Sequence, residues 1–115
     1  AKGFGSSASS STRSIHSGGG ASGSYSNVMD YVTIASTGNS TDFGDLTQAI
    51  HYSAAISNST KYFRAGGYGA SSPIDNGTDV IDVVTIASTG DAADFGDLQA
   101  DSYSGAGCCD AHGGL

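Results

Sequence analysis

A segment of 17 residues occurs twice in this chain, and no other feature of the sequence restricts the fold as strongly. Residues 30–46 return as residues 82–98 at an offset of 52, with 13 of the 17 aligned positions identical. A second match, at an offset of 48, relates residues 11–19 to residues 59–67, and both segments end in a diglycine. A period near fifty is typical of arrays of supersecondary units, each too small to bury its own apolar face. The sequence therefore predicts a repeat architecture.

The repeat divides the chain within what we expect to be a single repeat domain, residues 1–115. We assign residues 1–46 to a partial first unit, 47–98 to the second unit and 99–115 to a partial third unit. Such an array needs about three units to be stable. We expect the missing neighbours to come from other copies of the chain or from residues outside this sequence, and we favour other copies.

The composition predicts an all-β fold of short antiparallel strands. All 11 acidic residues are Asp, and only four residues are Lys or Arg, so helix-favouring residues are scarce. Gly, Ser, Thr, Asp and Asn, which suit turns, are common. We predict strands over residues 28–36, 80–87 and 50–56. The first two carry apolar residues on both faces, which is typical of strands covered on both sides by stacked sheets.

Eight apolar residues of the long repeat are expected to form the core and the assembly contacts. They are Val32, Ile34, Phe43 and Leu46 in the first copy, and Val84, Ile86, Phe95 and Leu98 in the second.

The arrangement of each unit resembles that of kelch repeats. Residues 62–67 read as a strand that runs into Gly-Gly, residues 80–84 as an Asp-containing strand, and Phe95 stands where kelch units usually carry Trp. Kelch repeats are blades of β-propellers with a period of about fifty. The resemblance implies tandem kelch-like repeats of about fifty residues, completed by neighbouring subunits.

The segment Val-Thr-Ile-Ala-Ser-Thr-Gly, followed by Asp-Phe-Gly-Asp-Leu, resembles tandem repeats in tail-fibre, virion and other surface proteins of phages and uncultured microbes. This resemblance implies an extracellular, cell-surface or virion location. The formal net charge of −7 argues against a nucleic-acid partner, which needs a basic surface. No apolar run approaches the length of a membrane span.

Three N-x-Thr sequons mark Asn39, Asn58 and Asn76 as candidate sites for N-linked glycans. All three fall in predicted turns or loops. Asn39 aligns with Asp91 of the second copy, which favours a role in the turn instead.

The spacing of Asp91, Asp94 and Asp97 suggests either calcium binding or turn capping. Several carboxylates in one tight loop offer the oxygen ligands that calcium prefers. Because the spacing is not that of an EF-hand, we favour hydrogen bonds from these side chains to nearby backbone amides. No other cofactor is expected.

Cys108 and Cys109 are neighbours, and an ordinary disulfide between them would be strained. Cys108 aligns with Ile56, so we expect either a small core residue or an intersubunit disulfide made by one of the two cysteines. The three histidines, His16, His51 and His112, lie at unrelated places in the repeat. We therefore expect no catalytic site and no enzyme activity.

These observations favour a structural subunit of a self-assembling extracellular filament or virion fibre. Its partner would be the chain itself, through strand pairing and sheet stacking between subunits. The alternative is a glycan-binding adhesin or tail-fibre module of propeller type. In that case the loop over residues 68–79 would contact cell-surface glycans, through Tyr68, Asp75, Asn76 and Asp79.

Overall fold

The computed structural model describes residues 2–21, 23–69 and 77–108, and these residues form two antiparallel β-sheets. The described strands are β1 (Ser6–Ser9), β2 (Arg13–Ser17), β3 (Gly20–Ala21), β4 (Ser24–Thr33), β5 (Thr41–His51), β6 (Ala54–Ser57), β7 (Lys61–Ala65), β8 (Tyr68–Gly69), β9 (Thr78–Thr85) and β10 (Ala93–Ser102). The all-β prediction is confirmed. Within these residues no helix is long and apolar enough to cross a membrane.

Each sheet is built around four strands in the same succession. The first sheet has the order β1-β2-β4-β5-β8, and the short strand β3 pairs with β4. The second sheet has the order β10-β9-β7-β6. All of these pairings are antiparallel, which short connections rich in Gly, Ser and Asn allow.

The sequence repeat is also a repeat of strands. β1 and β2 correspond to β6 and β7 at the offset of 48, while β4 and β5 correspond to β9 and β10 at the offset of 52. The change of offset falls between the diglycine and β9, in a stretch of which residues 70–76 lie outside the described part.

The two sheets stack on each other and enclose the core. The buried apolar residues come from both sheets and are Ile15, Met29, Phe43, Leu46 and Ile50 from the first, and Ala55, Tyr62, Val84 and Ile86 from the loop and strands of the second. Polar contacts cross the same boundary. Arg13 Nη1 donates to the carbonyl oxygen of Ile86 at 2.9 Å, and Ser57 Oγ donates to the carbonyl oxygen of Ser9 at 2.8 Å.

The two sheets use opposite faces in this stack, so identical residues of the repeat have different surroundings. Phe43 is 2% exposed, whereas its counterpart Phe95 is 63% exposed. The reverse holds for Ile86, which is 2% exposed, and its counterpart Ile34, which is 54% exposed. Each sheet therefore buries one face within the chain and presents the other face outward.

The predicted strand over residues 50–56 is wrong. β5 ends at His51 and β6 begins at Ala54, in the other sheet. Between them Tyr52 has a φ of 55°, a left-handed conformation that redirects the backbone from the first sheet to the second. The residues on both sides of Tyr52 are mostly small or apolar, so the sequence pattern does not reveal this change of sheet.

We predict that Ile86→Ala lowers the free energy of unfolding by about 2–5 kcal/mol, because it opens a cavity between the stacked sheets. The matched control is Ile34→Ala, which changes the same residue at the equivalent, exposed position and should cost less than about 0.5 kcal/mol. Urea denaturation of dilute protein measures both values. Equal losses for the two variants would contradict this packing.

Candidate functional site

A buried ion pair lies at the centre of the second sheet. Arg64 and Asp82 face each other across β7 and β9, and both side chains are buried. Arg64 Nη1 also donates to the carbonyl oxygen of Gly66 at 2.6 Å, and Thr47 Oγ1 of the first sheet donates to Asp82 Oδ1 at 2.5 Å. A buried charge pair is stable only with such additional hydrogen bonds. This pair therefore joins the diglycine turn, the second sheet and the first sheet.

A hydroxyl network lies beside the ion pair, between the sheets. The hydroxyl groups of Tyr62 and Ser17 are 2.5 Å apart, and Ser6 Oγ lies 3.2 Å from Ser17 Oγ and 3.0 Å from Ser53 Oγ. Burial raises the pKa of the Tyr62 phenol. These buried hydroxyl groups satisfy one another, so their arrangement explains why a core rich in serine is stable.

The outward face of the second sheet is apolar. It carries the residues that correspond to the buried face of the first sheet, namely Ile56, Phe63, Ile81, Val83, Phe95 and Leu98. Phe63 and Phe95 pack edge to face with ring centroids 5.0 Å apart. The outward face of the first sheet presents Val32 and Ile34, both exposed, beside Asp30, which pairs with Lys2 at 3.6 Å.

The turn over residues 88–92 fixes how the two sheets dock at this edge. Gly90 N–H donates to the carbonyl oxygen of Phe43 at 2.7 Å, and Ala92 N–H donates to that of Asp45 at 2.8 Å. Asp91 Oδ1 accepts a hydrogen bond from the Asp45 N–H at 3.0 Å. A Cβ atom at Gly44 would lie 2.3 Å from the Gly90 carbonyl oxygen, so this close approach requires glycine.

One of the three calcium candidates makes a hydrogen bond of the turn-capping kind, since Asp94 Oδ1 accepts from the nearby Gly96 N–H at 3.0 Å. Asp91 Oδ1 accepts instead from the Asp45 N–H of the first sheet. Asp97 is exposed. The described part of the chain contains no group of three or more His, Cys, Asp or Glu side chains that could hold a metal ion. Calcium binding at these residues stays a prediction.

The glycosylation candidates differ in their surroundings. Asn39 is exposed in the segment that joins β4 to β5. Asn58 is also exposed, and its Oδ1 accepts from the backbone N–H groups of Thr60 at 2.9 Å and Lys61 at 2.7 Å. Asn76 lies outside the described residues. N-linked glycosylation stays a prediction.

The cysteine prediction rests on one described residue. Cys108 is exposed and forms no disulfide with another described residue, whereas Cys109 lies outside the described residues. Of the histidines, His16 Nδ1 lies 2.9 Å from Ser7 Oγ, and His51 stacks on Tyr25 with centroids 4.2 Å apart. His112 also lies outside the described residues. The described histidines are thus separate, each with its own local partners.

An aromatic cluster, which the sequence did not reveal, gathers at one end of the sheets. Its members come from different loops and strand ends and are Phe4, Tyr25, His51, Tyr52, Tyr68 and Tyr103. A cleft of about 180 Å³ lies against it.

The sequence did not reveal the Arg64–Asp82 pair either. The signal for that pair is a charged residue in the middle of each of two apolar strands, Phe63 to Ala65 and Ile81 to Val83.

We predict that Asp82→Asn lowers the free energy of unfolding by about 3–5 kcal/mol, because it leaves the Arg64 guanidinium buried without its counter-charge. Asp30→Asn, the same change at the equivalent half-buried position, should cost less than about 1 kcal/mol. Urea denaturation compares the two variants. A loss at Asp82 no larger than that at Asp30 would contradict a structural role for the pair.

The raised pKa of Tyr62 predicts a loss of stability at high pH. In the unfolded chain the phenol ionises near its ordinary pKa of about 10, while the folded protein keeps the proton at a higher pH. The contribution is fully present below pH 10 and falls above it by up to about 1.4 kcal/mol per pH unit, until the folded pKa is reached. Urea denaturation between pH 9 and 11.5 measures this slope. Tyr62→Phe should flatten it, and an unchanged slope would contradict the assignment.

Comparison with known proteins shows the fold and leaves the family open. No known family profile matches the chain, and no curated protein matches it. Among solved structures, the one described as "Structure of YjhT" is similar, with a TM-score of 0.75 and 12% sequence identity. The match covers 93% of this chain and 35% of that one, so this chain spans about a third of the length of its structural neighbour.

Proposed function

We propose that this protein is a structural subunit that assembles with further copies of itself, through its two outward sheet faces, into an extracellular filament or virion fibre. The observation that carries the proposal is the apolar outward face of the second sheet. That face corresponds, residue for residue in the repeat, to the face of the first sheet that is buried within the chain.

The stack within the chain supplies a template for the contact between copies. In that template the face with Phe43 and Leu46 receives the face with Val84 and Ile86. The outward faces carry the counterparts of these residues. Phe95 and Leu98 lie on the outward face of the second sheet, and Val32 and Ile34 lie on the outward face of the first. A second copy placed with its first sheet on the second sheet of its neighbour would bury both of these outward faces. Burial of apolar area is the main favourable term in such association.

The turn over residues 88–92, which docks the two sheets within the chain, has a counterpart in the first copy of the repeat that can make the same hydrogen bonds between copies. Residues 36–40 of one copy would take the place of residues 88–92 on the strand around Phe95 of the next. Asn39 aligns with Asp91, and its amide oxygen can accept the hydrogen bond that Asp91 accepts within the chain. Gly38 and Ser40 supply the equivalent backbone amides.

One further observation supports units of the kelch kind. β2 and β7 each lead into a diglycine in a left-handed conformation, with Gly18 and Gly66 at φ of 65° and 63°.

The contact is heterologous, because two different faces meet. A heterologous contact produces a filament when it stays open and a ring when the rotation closes. We favour the filament and an extracellular or virion location, on the resemblance of the repeat to tail-fibre and microbial surface proteins. On this proposal assembly, rather than catalysis, is the function of the chain.

We predict that Phe95→Asp and Val32→Asp each weaken self-association at least about 100-fold, because each places a carboxylate where the contact would bury it without a partner. Tyr103→Asp is the control, since Tyr103 is 60% exposed and lies outside both stacking faces. Sedimentation velocity over a range of concentrations measures the assembly. The unaltered protein should form a growing series of oligomers, and each of the two face variants should be monomeric.

An equimolar mixture of the two face variants sharpens this experiment. Phe95→Asp retains an intact first-sheet face and Val32→Asp retains an intact second-sheet face, so together they should form a dimer and nothing larger. An unaltered protein that stays monomeric at every concentration, or face variants that assemble normally, would overturn the proposal.

A further inference from the structure

The aromatic cluster defined above borders a cleft that belongs to neither the stacking faces nor the ion pair. The cleft is lined by Phe4, Tyr25, His51 and Tyr52, together with residues 20, 21, 23 and 24. Phe4 is 63% exposed and Tyr52 is 38% exposed, although their rings pack with centroids 4.6 Å apart. Both residues have a left-handed backbone, with φ of 61° and 55°.

Polar groups accompany the rings. His51 Nδ1 donates to the carbonyl oxygen of Tyr68 at 3.0 Å, because a carbonyl can only accept. In the neutral ring, Nε2 is then left as a hydrogen-bond acceptor. Ser24 and Tyr25 add hydroxyl groups to the lining. An apolar surface with a few polar groups is the usual character of a small-molecule site.

The residues that line this cleft are not all shared by the two halves of the repeat. Tyr25 and Gly20 correspond to Gly77 and Tyr68 in the second half. Tyr103 lies near Gly77, since a Cβ atom there would lie 3.2 Å from its ring. The rings beside the cleft are therefore particular to this part of the chain.

We propose that this cleft binds a neutral saccharide. The apolar C–H face of a sugar ring packs against an aromatic ring, while its hydroxyl groups need donors and acceptors of the kind that Ser24, Tyr25 and His51 offer. The formal net charge of −7 disfavours anionic ligands such as nucleic acids. The volume is small beside the roughly 300–1,000 Å³ of drug-sized sites, so the cleft holds a single sugar ring.

This site differs from the loop over residues 68–79, on which the sequence placed glycan contacts. Most of that loop lies outside the described residues, and the cleft is lined instead by Phe4, by residues near the start of β4 and by residues at the end of β5. The inference stands on the cleft alone and is independent of self-assembly.

Titration calorimetry with neutral tetrasaccharides of glucose, galactose, mannose and N-acetylglucosamine tests the proposal. At least one should bind, and Phe4→Ala should weaken its Kd at least about tenfold, or about 1.4 kcal/mol. The matched control is Phe95→Ala, which removes the same side chain at the same 63% exposure and should leave the Kd unchanged. Tyr52→Phe should retain binding, whereas Tyr52→Leu, which removes the ring, should lose it.

Several results would overturn the saccharide site. They are no binding of any of the four tetrasaccharides at millimolar concentration by folded protein, equal effects of Phe4→Ala and Phe95→Ala, or binding of a single-stranded oligonucleotide in place of the sugars. The same two variants separate this proposal from self-assembly. Phe95→Ala should reduce the amount of oligomer seen by sedimentation and leave sugar binding intact. Phe4→Ala should weaken sugar binding and leave the amount of oligomer unchanged.

Discussion

The stacking of two similar sheets through opposite faces is the interaction on which the rest of this structure depends. A four-stranded sheet of this size has apolar side chains on both faces and cannot bury them alone. The stack of the two sheets buries one face of each sheet. The residues at the equivalent positions of the repeat then lie on the two outward faces. The two outward faces through which we propose that copies assemble are therefore a direct consequence of repeating one strand pattern in a chain with two sheets.

Polar interactions hold the two sheets in one relative position. The Arg64–Asp82 pair is bonded to Thr47 of the first sheet, and the Tyr62 hydroxyl group lies against Ser17. The ion pair and the hydroxyl groups of Tyr62 and Ser17 are buried and need specific partners, so a sliding of the sheets would leave them unsatisfied. The equivalent positions on the outward face of the first sheet hold His16 and Asp30, directly opposite each other and partly exposed.

The sequence predicts much of this fold because the repeat is long and its strands are strongly apolar. It places Phe43 and Phe95 at one position of the unit, but it cannot say that one is buried and the other exposed, since this depends on which face meets the other sheet. It also misses the change of sheet at Tyr52, where the apolar pattern continues through a left-handed residue. The aromatic cleft escapes sequence reasoning because its residues lie far apart along the chain and meet only at the ends of the strands.

Cysteine cross-linking between copies tests the stacking of outward faces most directly. With Cys108 and Cys109 replaced by Ser, Asn39→Cys in one copy and Asp97→Cys in another should form a disulfide when the two variants are mixed. These positions are the counterparts of Asp91 and Asp45, which are bonded within the chain, so the double variant Asp45→Cys with Asp91→Cys serves as the positive control. Efficient linkage in the mixture, well above that of either variant alone, is the predicted result. Linkage in the positive control with none in the mixture would contradict the stacking of outward faces.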